Sequence, residues 1–191
     1  MSHYGIEDIR LKHNLTKDSL VFEVGGWLGH FSQAIIKEFD CNVYVFEPVK
    51  SMYDNLVEKY KNNQKVKIFN FGLDNFTGIK KINICGDGSS LYKIETNSYE
   101  NVNFLNINDF FKEYNVKFVD LIEFNCEGAE YNILKEITAD NLNKINKIQI
   151  QFHNIPDINV ENDKAIVYDK LQYTHNQEWH YSWFECWGKK K

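Results

Sequence analysis

The chain has 191 residues, 43% of them hydrophobic, 15% aromatic and 26% charged. That length predicts a single domain, which buries roughly 70% of its unfolded surface and needs no disulfide or metal staple. High aromatic content with only 2 Pro and 10 Gly excludes disordered and collagen-like classes. A formal net charge of −5 and a single arginine, Arg10, argue against a nucleic-acid partner, because the forked guanidinium that reads phosphates is almost absent.

Cys41, Cys85, Cys126 and Cys186 are widely spaced and form no C-x-x-C pair, so no structural zinc is expected. Met1 is followed by polar and charged residues, and no run approaches the ~20 apolar residues of a membrane helix. A cytoplasmic, reduced protein without a membrane partner is the expectation.

Residues 1–17 are read as an N-terminal extension to a core of about 19–187. Ser19 to Val24 is a nearly continuous apolar run ending in Gly25-Gly26, as expected of a strand buried on both faces. Phe31, Ala34, Ile35 and Phe39 then recur at helical spacing, and Cys41 to Phe46 reads as a second strand. Pro48 ends that strand, and Tyr53, Leu56, Val57 and Tyr60 mark a second amphipathic helix. Val66 to Phe71 is a third strand, and Ile79 to Cys85 a short alternating one.

Residues 86–100 carry loop chemistry and are expected to form a substrate-side segment. Asn108 is the expected cap of a short helix reaching Tyr114. Phe118 to Phe124 is a strand, Ala129 to Ile137 a helix, Lys147 to His153 a strand, and Ala165 to Tyr173 a helix; Trp183 to Trp187 closes the chain. Alternating strands and helices predict a three-layer, doubly wound, mostly parallel α/β sheet.

In such sheets ligands sit beyond the carboxyl ends of the strands, where the strand order reverses. The turn Glu23-Val24-Gly25-Gly26-Trp27-Leu28-Gly29 lacks the G-x-G-x-x-G spacing of a pyrophosphate site. Glu47 closes the second strand, where a carboxylate can accept hydrogen bonds from ribose hydroxyls. A nucleoside without a diphosphate fits better, and S-adenosylmethionine has those features. NAD sites also end their second strand with an acid, so an NAD-dependent enzyme stays open at this point.

The chain resembles the FkbM-type S-adenosylmethionine-dependent methyltransferases from about Val21 to Trp187. The resemblance rests on Phe22 to Gly29, on Val45-Phe46-Glu47-Pro48, on Asn70-Phe71-Gly72-Leu73 with Gly78, and above all on Asp120 to Glu130 with its E-G-A-E ending. It implies a seven-stranded, Rossmann-like class I methyltransferase fold with S-adenosylmethionine as cofactor and S-adenosylhomocysteine as product. Glu23, Gly25, Gly26 and Gly29 would then wrap the methionine portion and Glu47 would hold the ribose. Gly72 and Leu73 would lie against the adenine, with Phe31 and Pro48 lining the same site. Asn125 and Glu127 would face the methyl group and the acceptor. The family more often has Asp at position 23, Asn at 27 and Lys-Ile-Asp at 123–125; Asn125 can serve neither as an anionic base nor as a charged ligand.

Methyl transfer to a hydroxyl gains from alignment of the reacting atoms and from a base that takes the hydroxyl proton. His153 is the first candidate base and Glu127 the second, with Glu130 as an orienting or helix-start charge. Asn125, Glu127 and His153 make a poor hard-cation cage, so no metal is expected. Trp179, Trp183 and Trp187 fit a helical stripe, whereas Tyr181, Trp183, Glu185 and Trp187 fit strand alternation and a closing hairpin; His175 and His180 read as surface residues. The expected activity is O-methylation of a sugar, a glycan or another small polar metabolite, without nucleic acid. The alternative is a cofactor-binding module without turnover.

Overall fold

β1 (Leu20–Val24) lies at the centre of the molecule with both faces covered, which is why its sequence is apolar almost without interruption. The computed structural model describes residues 9–84, 98–155 and 159–191. β1 leads through α1 (His30–Phe39) to β2 (Asn42–Phe46), and through α2 (Lys50–Tyr60) to β3 (Val66–Phe69). All three strands are parallel. On the other side of β1 lie β7 (Val119–Phe124) and β8 (Ile145–Gln151), again parallel. β10 (Phe184–Lys189) runs antiparallel between β8 and β9 (His175–Tyr181), which gives a seven-stranded sheet of order β3-β2-β1-β7-β8-β10-β9. The chain direction across the sheet reverses between β1 and β7, the place where open α/β sheets bind ligands.

Side-chain alternation divides the core in two. Val21, Val43, Val45 and Leu121 pack with Phe31 and Ile35 of α1 and Leu56 of α2 on one face. Phe22, Val24, Phe46, Ile122, Phe124, Ile148 and Ile150 pack with helices on the other. Those helices are α3 (Ile107–Glu113), α4 (Ala129–Glu136) and α6 (Val160–Leu171), with the short α5 (Ala139–Leu142) after α4. A second, three-stranded sheet of order β4-β6-β5 is made of β4 (Gly72–Asp74), β5 (Gly78–Asn83) and β6 (Tyr99–Asn106).

Several expectations change in detail. The substrate-side segment expected at 86–100 lies outside the described residues up to 97, and from Tyr99 the chain is β6, with Val102 and Phe104 buried between exposed neighbours. The cap of α3 is Asn106, which accepts from the Asn108 N–H. Asn108 instead accepts from the Thr138 N–H and the Asn141 amide, and so ties α3 to α5. His175 is fully buried, with Nε2 3.0 Å from the Ile145 carbonyl. Trp183 sits in the turn of the closing hairpin and Trp187 packs into the core, so strand alternation describes that end of the chain. The residues before β1 are more than an appendage: Leu11 and Leu15 pack against the α1–α2 face and His13 is buried.

Gly25 fixes the position of the first turn. Its φ is +98°, and a Cβ built there would lie 2.0 Å from the Asn125 carbonyl oxygen. Gly25→Ala would force the ends of β1 and β7 apart and impose a left-handed backbone on alanine. We expect a loss of about 2–4 kcal/mol, read from urea denaturation midpoints.

Candidate cofactor cleft and reaction centre

Three groups of residues gather at the carboxyl ends of β1, β2, β7 and β8. The first is a cleft of about 320 Å³ lined by Arg10, Glu23, Gly25, Gly26, Trp27, His30, Phe31 and Asn125. The Gly25 and Gly26 N–H groups both donate to the Phe46 carbonyl, and the Asn125 N–H donates to the Val24 carbonyl. The turn is thus tied to β2 on one side and the end of β7 on the other. Glu23 is 3% exposed; one oxygen accepts from the Ser32 N–H at 3.4 Å, and the other, Oε2, has no partner. Burial, reinforced by the Glu123 carboxylate on the paired strand, pushes Glu23 up to about 8.

Beneath this cleft a row of polar side chains crosses the sheet. Glu23, Glu123 and Gln149 occupy matching positions on β1, β7 and β8. Arg10 covers the row, paired with Glu123 and seated over the rings of Phe31 and Phe184 at 5.1 and 4.6 Å. The Gln149 amide donates to Glu123, and its oxygen lies 3.2 Å from His13 Nε2. Sequence reasoning missed Arg10, His13 and Gln149. The available signal was Glu123 itself, because a carboxylate in a strand buried on both faces needs a charged or hydrogen-bonding partner.

The second group is Glu47, Pro48 and Gly72. Glu47 accepts from the Trp27 N–H and the Val49 N–H, both at 2.8 Å, and burial pushes it up to about 7. It therefore holds Trp27 at the left-handed φ of +42° that this turn requires. Gly72 lies next to Pro48 and against the Phe104 ring, where a Cβ would sit 2.7 Å from a ring carbon. Leu73 is packed into the core. Gly29 turns away from the cleft, its carbonyl accepting from Lys59 Nζ and the Tyr60 hydroxyl on α2.

The third group is Glu127, Glu130 and His153. Glu130 is fully buried and accepts from the Gly128 N–H at 2.8 Å and the His153 N–H at 2.9 Å, with His153 Nδ1 at 3.0 Å. His153 Nε2 lies 3.3 Å from Glu127 Oε1. Desolvation alone would lower the imidazole, but the two carboxylates outweigh it and raise His153 to about 9. The ring is therefore an imidazolium at neutral pH. Among the described residues, no cluster of His, Cys, Asp and Glu is arranged to hold a metal ion.

A turn opened by two consecutive glycines, a buried carboxylate oxygen without a partner on the wall of a cleft and an acid at the end of β2 fit the aminoacyl and nucleoside parts of S-adenosylmethionine. Solved structures place this architecture. An rRNA methylase from Streptococcus thermophilus matches with a TM-score of 0.53 at 11% identity, over 98% of this chain and 95% of its own. Precorrin-6y C5,15-methyltransferase from Geobacter metallireducens gives 0.60 at 8% identity, over 100% and 90%. TrmK of M. capricolum, solved with S-adenosylhomocysteine, gives 0.57 at 12% identity, over 100% and 70%. The fold is that of the class I methyltransferases. Residues 29–177 match the methyltransferase FkbM domain, and the chain belongs to that family of S-adenosylmethionine-dependent methyltransferases. No curated protein matches it in sequence.

The exclusion of nucleic acid drawn from net charge and the single arginine is corrected by these neighbours. An rRNA methylase shares the fold over nearly its whole length, and a whole-chain charge averages away the local surfaces that decide such contacts. Among the described residues, no helix is long and apolar enough to cross a membrane.

Glu23 supplies a test of the cleft electrostatics. Its folded pKa, about 8, is raised above the ordinary 4.5. The associated stability is fully present below pH ~4.5 and is lost as pH rises through ~8. Glu23→Gln removes that loss: in urea titrations it should match wild type near pH 4.5 and exceed it at pH 8.5 by on the order of 2–4 kcal/mol.

Proposed function

We propose that the chain transfers a methyl group from S-adenosylmethionine to a hydroxyl of a sugar, a glycan or another small polar metabolite. The observation that carries this reading is the Glu127–His153–Glu130 cluster beyond Asn125, where the reacting oxygen can be oriented and its proton received. When bound, the cofactor supplies an electrophilic methyl on a sulfonium.

Glu23, the turn at Gly25 and Gly26, and Phe31 are assigned to its methionine end. Glu47 and Pro48 are assigned to the ribose, and Gly72 and Leu73 to the adenine. Asn125 lines the cleft and can donate or accept a hydrogen bond without bringing charge to the methyl. Glu127 accepts the hydrogen bond of the acceptor hydroxyl and takes its proton. His153 cannot accept a proton while it is an imidazolium. Its role is to hold Glu127 in place and to balance the two carboxylates, while Glu130 fixes the ring through Nδ1. Activity should persist in the presence of a chelator.

The experiment is transfer of labelled methyl to a panel of glycosides, polyols and structured RNAs. Glu127→Gln should lower kcat by roughly 10²–10⁴ and leave S-adenosylhomocysteine binding intact. Because the imidazolium form is the active one, kcat should fall as pH rises through about 9. A rate that climbs to a plateau there would return the base role to His153. Methylation of RNA alone, or of no member of the panel, would overturn the acceptor class.

A further inference from the structure

The methionine end of the cofactor is a zwitterion. The residues assigned so far offer its ammonium a partner, Glu23, but offer its carboxylate no cation. The cleft contains one. Arg10 lines it together with Glu23, Gly25 and Asn125, and among the described residues no lysine does. We infer that Arg10 binds the α-carboxylate of the cofactor and makes the cleft selective for an intact amino-acid end. The inference rests on the cofactor assignment above.

Three features suit Arg10 to the task. Its guanidinium is held in place: one terminal nitrogen pairs with Glu123, itself 1% exposed, and the rings of Phe31 and Phe184 flank it at 5.1 and 4.6 Å. A planar fork with five N–H donors can serve Glu123 and a second carboxylate at once, and its Nε is buried without a partner. The placement of the charges also suits a zwitterion. Glu23 and Glu123 face one another across β1 and β7 with a single arginine between them. A zwitterion leaves the net charge of the row unchanged but gives Glu23 Oε2 an ammonium of its own, while its carboxylate shares Arg10 with Glu123.

Arg10 comes from the segment that precedes β1, outside the matched family region of 29–177. That segment is anchored by His13 against Gln149 and by Leu11 and Leu15 on the α1–α2 face. Residues ahead of the sheet thus complete the cofactor site.

The test is calorimetric binding of S-adenosylmethionine and of decarboxylated S-adenosylmethionine to wild type and variants. Arg10→Met alone would strand the Glu123 carboxylate in the core, so Arg10→Met/Glu123→Gln, which removes both charges, is measured with it, and Arg10→Lys retains the charge without the fork. Wild type should prefer the carboxylated ligand by about 10- to 100-fold, as expected of a partly desolvated charge pair. The double variant should bring that preference to within about twofold while binding the decarboxylated ligand as wild type does. Arg10→Lys should keep part of it. Because the readout is a ratio of two ligands on the same folded variant, a change in stability does not mimic it. A preference that survives the loss of Arg10 would overturn the inference and move the carboxylate to His30. Wild type that binds neither ligand would overturn the cofactor assignment itself, and this inference with it.

Discussion

The backbone contact between Gly25 and Asn125 sets the geometry on which the rest of the site depends. Here the ends of β1 and β7 approach so closely that no side chain fits between them. One half of the site, the turn from Gly25 to Gly29, leaves from β1, and the other half, Asn125 to Glu130, leaves from β7. Holding these two backbones together fixes the distance between the cleft proposed for the cofactor and the Glu127–His153 cluster. The Phe46 carbonyl, accepting from both Gly25 and Gly26, extends the same constraint to β2 and thereby to Glu47. Three strand ends are locked by backbone contacts alone, leaving the side chains around them free for chemistry.

The row Glu23–Glu123–Gln149 is the costly part of the architecture. Two carboxylates within a sheet core with one arginine between them would, on stability grounds, be better replaced by apolar residues of similar volume. Under the proposed cofactor assignment, their arrangement is a site kept ready for a charged ligand. Glu185 shows a buried carboxylate that is fully answered: it is completely buried and contacted by Lys164, Tyr168, Gln177 and Trp187. Glu23, with an orphaned oxygen on the wall of the cleft, stands in contrast to Glu185 with its four partners.

Periodicity and glycine placement made the parallel half of the sheet legible, because β1, β2 and β7 are largely apolar runs and β8 alternates apolar with polar residues. β6 was harder to see. Its buried Val102 and Phe104 alternate with exposed polar residues, and the asparagines in and around it read as loop chemistry. His175 looked exposed because its hydrogen-bond partners, Thr174 and the Ile145 carbonyl, come partly from a strand thirty residues away in sequence. Arg10 was invisible for a related reason. Nothing local relates a residue ahead of the first strand to a carboxylate more than a hundred positions later, and only the sheet register brings Glu123 beneath it.

The E-G-A-E segment shows how short-range spacing becomes site geometry. Glu127 takes a left-handed backbone at φ +54° and Gly128 follows at +108°, which turns the chain sharply from β7 into α4. The turn leaves the Gly128 N–H without a partner from the helix, and Glu130 folds back to accept it, as an acid near a helix start is favoured to do. Once committed there, the same carboxylate meets the His153 N–H and ring beyond the end of β8. Glu127, displaced to the other side by its own turn, reaches the far nitrogen of that ring. A helix cap and the proposed reaction centre are therefore one construction. A change at Glu130 should act on both, loosening the start of α4 and freeing His153 to lose its proton, whereas a change at Glu127 leaves the Gly128 cap in place and removes one of the two carboxylates beside the ring.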